Sequence, residues 1–247
     1  EELSEKMIVK GLTVNSLNEL SSSEKALLCS QAKSDTDALI ALNTAFSANG
    51  LFLQIDRNNI IPMPLHVIYV NSGNANIVTN TRSFINVQAN AQATLIESFY
   101  NIGSAKVFSN FVSEKFVGEN AKLTCHTFQN EGALSYSVNT NQVKINKYSN
   151  YSNTTMTLSG ELVRNNHNVV LTDSNCEAHL NGLFISSGTQ QIDNHTLIDH
   201  QMPHCESNEL YKGIAKDKSA GTFNGKIFVR KDAQKTNAYQ SSKNILM

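Results

Sequence analysis

His200, His204 and Cys205 fall within six residues of one another, on the text Asp199-His200-Gln201-Met202-Pro203-His204-Cys205-Glu206. Imidazole and thiolate are ligands for zinc, iron and iron–sulfur chemistry, so these three residues are the candidate metal ligands. The spacing works against a simple chelate. On a helix His200 and His204 would share a face, but Pro203 biases Met202 away from helical backbone. On a strand the two histidines would lie roughly 13 Å apart at about 3.3 Å per residue, and His204 and Cys205 would point to opposite sides. Only a turn at Pro203 would gather them. The competing reading is a buried cysteine beside hydrogen-bonded histidines. Cys125-His126 and the looser pair Cys176 and His179 carry the same two readings, and Cys29 reads as core on an apolar helical run.

Carboxylates offer a second chemistry. Asp193, Asp199 and Glu206 are the candidate set for glycoside cleavage, which needs a pair about 5 to 9.5 Å apart. ATP binding through a P-loop is not expected, on spacing. The nearest approach to a phosphate loop, Gly221-Thr222-Phe223-Asn224-Gly225-Lys226-Ile227, is one residue short and has Ile where the magnesium-binding hydroxyl belongs. Neither a Gly-x-Ser-x-Gly elbow nor a Gly-x-Gly-x-x-Gly turn occurs.

These residues need elements to hold them. Up to residue 49 the pattern is helical, with helices expected at 23–32 and 36–47. Ser21-Ser22-Ser23-Glu24 reads as a helix start, Asp37 as a second, and Leu39, Leu42 and Phe46 as one apolar face. From Leu51 the period becomes two. Short strands are expected around 51–55, 65–70, 76–78, 84–87, 94–97, 106–108, 122–125, 142–145, 155–158, 168–171 and 182–185. Turn signals separate them, at Ser72-Gly73-Asn74, Gly118-Glu119-Asn120, Glu131-Gly132 and Ser187-Gly188. No helix-length stretch intervenes, so a doubly wound α/β fold is excluded.

The turns recur. Asn90-Ala91, Asn120-Ala121, Asn175-Cys176 and Asp232-Ala233 are spaced by about one or two copies of a unit near 28 residues. Such a period predicts a solenoid of stacked coils. A two-sheet sandwich is the alternative, but it demands hairpins, and only Asn181-Gly182 and Asn224-Gly225 stand between strands as tight hairpin turns. The expected architecture is an all-β parallel β-helix over residues 50–247, preceded by a helical N-terminal segment over 1–49.

Bulk composition narrows the partners. The 20 basic and 21 acidic residues leave a net charge of −1, so no field of either sign selects nucleic acid or an anionic membrane. Four dispersed cysteines fit a reducing compartment better than a disulfide framework. No apolar run reaches the roughly 20 residues of a membrane span, and the acidic start Glu1-Glu2-Leu3-Ser4-Glu5-Lys6 does not read as a targeting peptide. With no initiating Met and an abrupt stop at Met247, the sequence reads as a core fragment.

Several stretches together resemble the SufB/SufD family of iron–sulfur cluster assembly proteins. They include His200, Cys205, Ser207-Asn208-Glu209-Leu210-Tyr211-Lys212-Gly213-Ile214, Phe223-Asn224-Gly225, Ala233-Gln234-Lys235-Thr236 and Asn244-Ile245-Leu246. Ala41-Leu42-Asn43-Thr44-Ala45-Phe46 with Gly50, and Leu65-His66-Val67-Ile68-Tyr69-Val70, extend the likeness to residues 36–247. Phe223-Asn224-Gly225 with Gln234-Lys235-Thr236 favours the SufD side. The resemblance implies a right-handed β-helix flanked by helical segments. It also implies a non-catalytic scaffold of the SUF system that works with a SufB-like paralogue and a SufC-like ATPase, in the cytoplasm or in a plastid, with a homodimer as the alternative assembly. No tightly bound cofactor is implied, but iron or a nascent cluster at a partner interface is. The family's Cys-Ser-His-Gly-Ala-Thr interface segment and C-terminal helices would follow Met247, and no Cys-x-His occurs in these residues.

Overall fold

The computed structural model describes residues 9–25, 27–47 and 49–247. Fifteen strands fall into two sheets among these residues. The first sheet is formed by β1 (Leu12–Ser16), β2 (Asn49–Ile55), β4 (Ile77–Val87), β6 (Val107–Val117), β8 (Ser135–Ile145), β10 (Leu162–Leu171), β12 (Gln191–His200) and β14 (Ala220–Val229), in that order. The second runs β3 (Leu65–Ser72), β5 (Gln92–Ile102), β7 (Lys122–Asn130), β9 (Asn150–Ser159), β11 (Glu177–Ser186), β13 (Glu206–Ala215) and β15 (Asn237–Leu246). Even-numbered strands pair only with β1 and even-numbered neighbours, and odd strands from β3 only with odd neighbours. All of these pairings are parallel except β1 with β2. The chain therefore winds through one strand of each sheet per turn. This is the expected right-handed parallel β-helix, in about seven coils.

The coil length explains the recurring turns. Ile77 lies opposite Val107, Tyr136 opposite Leu162, and Glu177 opposite Glu206, offsets of 30, 26 and 29 residues. In register, equivalent residues stack into ladders along the axis. Ile55, Val87, Val117, Ile145 and Leu171 form one such ladder, all buried. Burying each aliphatic side chain is worth about 1.5–3 kcal/mol, so a ladder converts period-two alternation into one continuous core.

A second ladder forms at the turns. Asn58, Asn90 and Asn120 all take left-handed backbone, with φ between 53° and 62°. Asn90 Nδ2 donates to Asn58 Oδ1 at 2.8 Å, and Asn120 Nδ2 to Asn90 Oδ1 at 2.9 Å. Asparagine tolerates this conformation because its short side chain bonds locally, whereas other residues lose about 1–2 kcal/mol. Asn90→Ala is expected to cost about 2 kcal/mol in urea unfolding, from strain and the two lost bonds. A change below about 0.5 kcal/mol, the level of ordinary surface substitutions, would count against the ladder.

The segment before β2 departs from the expected pair of helices. It contributes β1, antiparallel to β2, and so belongs to the first sheet. The expected helix over 23–32, in which Ala26 lies outside the described residues, is a single turn, α1 (Ser22–Lys25). Its start is a capping box, with Ser21 N–H donating to Glu24 Oε2 at 2.8 Å and Glu24 N–H to Ser21 Oγ at 3.3 Å. Helix does not continue because Cys29 adopts φ 62° and gives its N–H to Glu114 Oε1. Cys29 is only partly buried, not core.

The second helix, α2 (Ala38–Phe46), starts at Asp37, whose Oδ1 accepts from Leu39 and Ile40 N–H. Its packed face is Ile40 and Asn43 rather than Leu39, Leu42 and Phe46, and Phe46 is 67% exposed. The anchor is polar. Asn43 Nδ2 donates to the Thr81 and Asn110 carbonyls of β4 and β6 at 2.9 Å each. Phe52, Phe84 and Phe116 pack in a row on the outside of the first sheet, covered by Leu17, Leu20 and Leu28. The N-terminal segment is thus a strap closing the outer face of β2, β4 and β6. Among the described residues no helix is long and apolar enough to cross a membrane.

Candidate functional site: a thiol corner and a polar lumen

The corner between the two sheets repeats one device. A left-handed residue is followed by a small side chain turned under the turn: Asn90-Ala91, Asn120-Ala121, Tyr148-Ser149, Asn175-Cys176, His204-Cys205 and Lys235-Thr236. The fourth turn expected from the sequence, Asp232-Ala233, is displaced. The left-handed residue of that coil is Lys235, because Asn237 lies opposite Glu206. Two successive rungs of this ladder are cysteines, and both are fully buried. Cys176 Sγ lies 3.0 Å from the Asn146 carbonyl and 3.1 Å from that of Asp173. Cys205 Sγ lies 3.2 Å from the same Asp173 carbonyl.

His200 ends β12 in the ladder position stacked on Leu171. Its Nε2 meets Ser207 Oγ at 2.9 Å, while its buried Nδ1 has no hydrogen-bond partner. The proximity of Cys176, more than the neighbouring His200, holds Cys205 below the usual thiol range against the opposing effect of burial. The same proximity, with burial, pushes Cys176 up.

Of the three candidate metal ligands, the turn at Pro203 brings His200 and Cys205 together and sends His204 outward. His204 is exposed, with φ 61°, and its N–H donates to the Gln234 carbonyl at 3.0 Å. The third member of the inner cluster is Cys176, which sequence reasoning had set beside His179. Its signal was present in the spacing: Cys176 and Cys205 are 29 residues apart, the offset of β11 from β13, and each follows a left-handed residue. Among the described residues no three His, Cys, Asp or Glu side chains are arranged to hold a metal ion. Cys125 is buried in the lumen, and burial pushes its thiol up to about 12.

The carboxylate set does not converge. Asp193 and Asp199 face outward on β12 six residues apart, roughly 20 Å of strand. Asp193 pairs with Arg164, and its Oδ1 meets His195 Nε2 at 2.8 Å. Burial raises the Asp199 carboxyl, but hydrogen bonds from Arg230 and Gln201 outweigh it and hold the group below the usual range. Glu206 is exposed on the other sheet. Gly221–Ile227, the stretch nearest to a phosphate loop, is strand throughout.

Inside the coils a polar seam accompanies the aliphatic ladders. Lys115 Nζ lies 3.2 Å from Glu97 Oε2, and donates to Ser113 Oγ at 2.8 Å and Asn141 Oδ1 at 2.7 Å. Gln129 Nε2 donates to Asn165 Oδ1 at 2.7 Å, and Asn165 Nδ2 to Asn194 Oδ1 at 3.0 Å. His167 faces the Tyr151 hydroxyl at 3.0 Å, and burial, helped by the Lys115 charge, lowers it to about 3. The seam reaches Glu209, where Thr196 Oγ1 donates to Oε2 at 3.0 Å and Oε1 has no partner.

Burial pushes Glu209 up to about 7, although the Thr196 bond opposes this. Below the ordinary carboxylate value Glu209 is neutral both folded and unfolded. As pH rises from about 4.5 to 7, the unfolded chain gives up this proton while the folded chain keeps it, so stability falls by roughly 3 kcal/mol and then levels off. Glu209→Gln cannot ionise and escapes the loss. Urea unfolding at pH 4 and pH 8 should show the variant gaining on the parent by that order; an unchanged difference would refute the assignment.

Comparison with known proteins gives the family of the sequence. The family described as SUF system FeS cluster assembly, SufBD core domain, matches residues 69–247, and the SufBD protein N-terminal region matches residues 1–67. The iron-sulfur cluster assembly SufBD family protein slr0076 of Synechocystis is 29% identical over 215 residues, covering 83% of this chain and 48% of the relative. SufD of Escherichia coli is 25% identical over 214 residues, covering 85% and 51%. The chloroplastic protein ABCI7 of Arabidopsis thaliana is 27% identical over 172 residues, covering 69% and 36%. The chain spans about half the length of the first two relatives.

Proposed function

Because the chain belongs to the SufB/SufD family, we propose that it is the core of a SufD-like scaffold subunit of the SUF iron–sulfur cluster assembly machinery. The observation that carries the reading is the core-domain match across the coiled region, residues 69–247. The architecture supports it: stacked parallel coils and an outer surface whose acidic groups on β12 are held by arginines. In this reading the polypeptide catalyses nothing by itself. A SufC-like ATPase supplies nucleotide hydrolysis, and a SufB-like paralogue completes the assembly. Iron or a nascent cluster is cargo at a partner interface and not a resident cofactor of the coils. The cytoplasm of a bacterium or the interior of a plastid is the site of action, the latter suggested by the relative whose name is chloroplastic.

The alternative of a β-helical carbohydrate-active protein is disfavoured, because Asp193 and Asp199 lie roughly 20 Å apart along β12, each paired with an arginine, and Glu206 lies on the other sheet. The test is genetic and enzymatic. Deleting the gene in its own host under iron limitation should lower the activity of an iron–sulfur enzyme such as aconitase, and the full-length gene should restore it. Unchanged aconitase activity in the deletion strain would overturn the reading.

A further inference from the structure

We propose that Cys176 and Cys205 are a redox-active dithiol that closes into a disulfide between adjacent coils when it meets a small-molecule disulfide. Three observations converge on the pair. First, Glu177 lies opposite Glu206, and Glu206 N–H donates to the Cys176 carbonyl at 2.9 Å, so the cysteines occupy equivalent rungs. Adjacent strands run about 4.8 Å apart, inside the roughly 4.4–6.8 Å between Cα atoms that a disulfide accepts. Second, the two sulfurs lie 3.1 and 3.2 Å from one oxygen, the Asp173 carbonyl, and so within about 6 Å of each other. Third, His200, whose buried Nδ1 has no hydrogen-bond partner, stands beside Cys205.

The chemistry balances with glutathione disulfide as oxidant. The Cys205 thiolate attacks one sulfur, the S–S bond of the oxidant breaks, and one glutathione thiolate leaves. Cys176 then attacks the Cys205 sulfur of the mixed disulfide. Its proton goes to the second glutathione as that leaves, and the two electrons of the dithiol end on the two glutathiones. Cys205 attacks first because it lies under the exposed turn, and the thiolate is the attacking form. Entry is through the Pro203 turn, whose Pro203 carbonyl lies 3.7 Å from the Cys205 sulfur and whose Met202 and His204 are exposed. A brief local opening of that turn uncovers the sulfur. The other thiols are poor rivals: Cys125 is inert in the lumen, and Cys29 lies in the strap without a cysteine partner. Serine is tolerated at this rung, since Ser149 already occupies it in the preceding coil.

The experiment treats the folded full-length protein with oxidised glutathione, blocks remaining thiols with N-ethylmaleimide, and maps tryptic peptides by mass spectrometry. The expected product is one linked peptide pair, Cys176 to Cys205, two hydrogens lighter than the sum. In Cys176→Ser, Cys205 should stop as a mixed disulfide with one glutathione; in Cys205→Ser, Cys176 should react at least tenfold more slowly. Partly exposed Cys29 serves as the internal control for oxidant exposure. Recovery of both Cys176 and Cys205 as maleimide adducts, after Cys29 has been fully glutathionylated, would overturn the proposal. So would equal reactivity of Cys205 and Cys176 in the two serine variants.

Discussion

Glu114→Ala is expected to lower the thermal midpoint by about 10 °C, the largest loss of any single substitution considered. Glu114 lies on the outer face of β6, wholly buried by the strap. Its carboxylate accepts from Arg82 Nε at 3.1 Å and Nη2 at 2.7 Å. It also accepts from the backbone N–H groups of Cys29, Gln31 and Ala32, at 2.8, 2.8 and 3.2 Å. Removing it leaves a guanidinium buried without its counter-ion and three strap amides without acceptors. Breaking a buried pair from one side costs about 3–5 kcal/mol, and about 2–4 °C of midpoint accompanies each kcal/mol at this chain length.

Two controls separate charge from architecture. Glu114→Gln keeps an acceptor for some of the amides and should lose less. Limited proteolysis should cut the Glu114→Ala strap near Cys29 before the coils unfold. A midpoint within about 2 °C of the parent, inside the effect of a 1 kcal/mol change, would show that this carboxylate does not fasten the strap.

Lys115→Ala should come close behind. Its neighbour Glu114 points out to the strap, while Lys115 points into the lumen, as strand alternation requires. Lys115 and Glu97 are 1% and 3% exposed, and each is the other's counter-ion. Losing the ammonium strands the Glu97 carboxylate among Tyr69, Thr127 and the aromatic contacts of Phe99 and Phe111. The expected cost is again about 3–5 kcal/mol. The informative variant is the double replacement Lys115→Met with Glu97→Gln. It removes both charges at near-constant volume and should recover most of the loss, because desolvating the pair offsets much of its attraction. Urea unfolding of the single and double variants decides the matter. A double variant no more stable than Lys115→Ala would mean that the seam contributes attraction well beyond its charge balance.

The coils were legible because a parallel solenoid writes its fold locally. Alternation gave the strands, and left-handed asparagines gave the period. What escaped the sequence depended on neighbours from other coils. Asn80-Thr81-Arg82 looks like a break between two short strands, yet β4 runs unbroken through it, since Arg82 faces the strap and not solvent. Asn181-Gly182 and Asn224-Gly225 look like hairpin turns but sit inside β11 and β14. At Gly182 a Cβ would meet the Tyr211 ring at 2.1 Å, so the glycine makes room for a stacked coil. The helix expected over 23–32 failed for a similar reason, because Glu114, 85 residues from Cys29, takes the N–H that a helix would need.

The site was legible in part. His200 and Cys205 are gathered by the Pro203 turn, the one geometry that could do so. His204 is excluded because the corner requires a left-handed residue, and that residue's side chain points outward. Cys176 was missed because sequence proximity suggested His179, whereas in a solenoid the relevant neighbour is one coil away.

The central claim, that these coils are the core of a SUF scaffold subunit, is tested most directly by purification. The full-length protein, tagged in its own host, should bring down a SufC-like ATPase and a SufB-like paralogue in stoichiometric amounts through size exclusion at physiological salt. A full-length protein that elutes as a monomer, with neither partner at any stage, would contradict it.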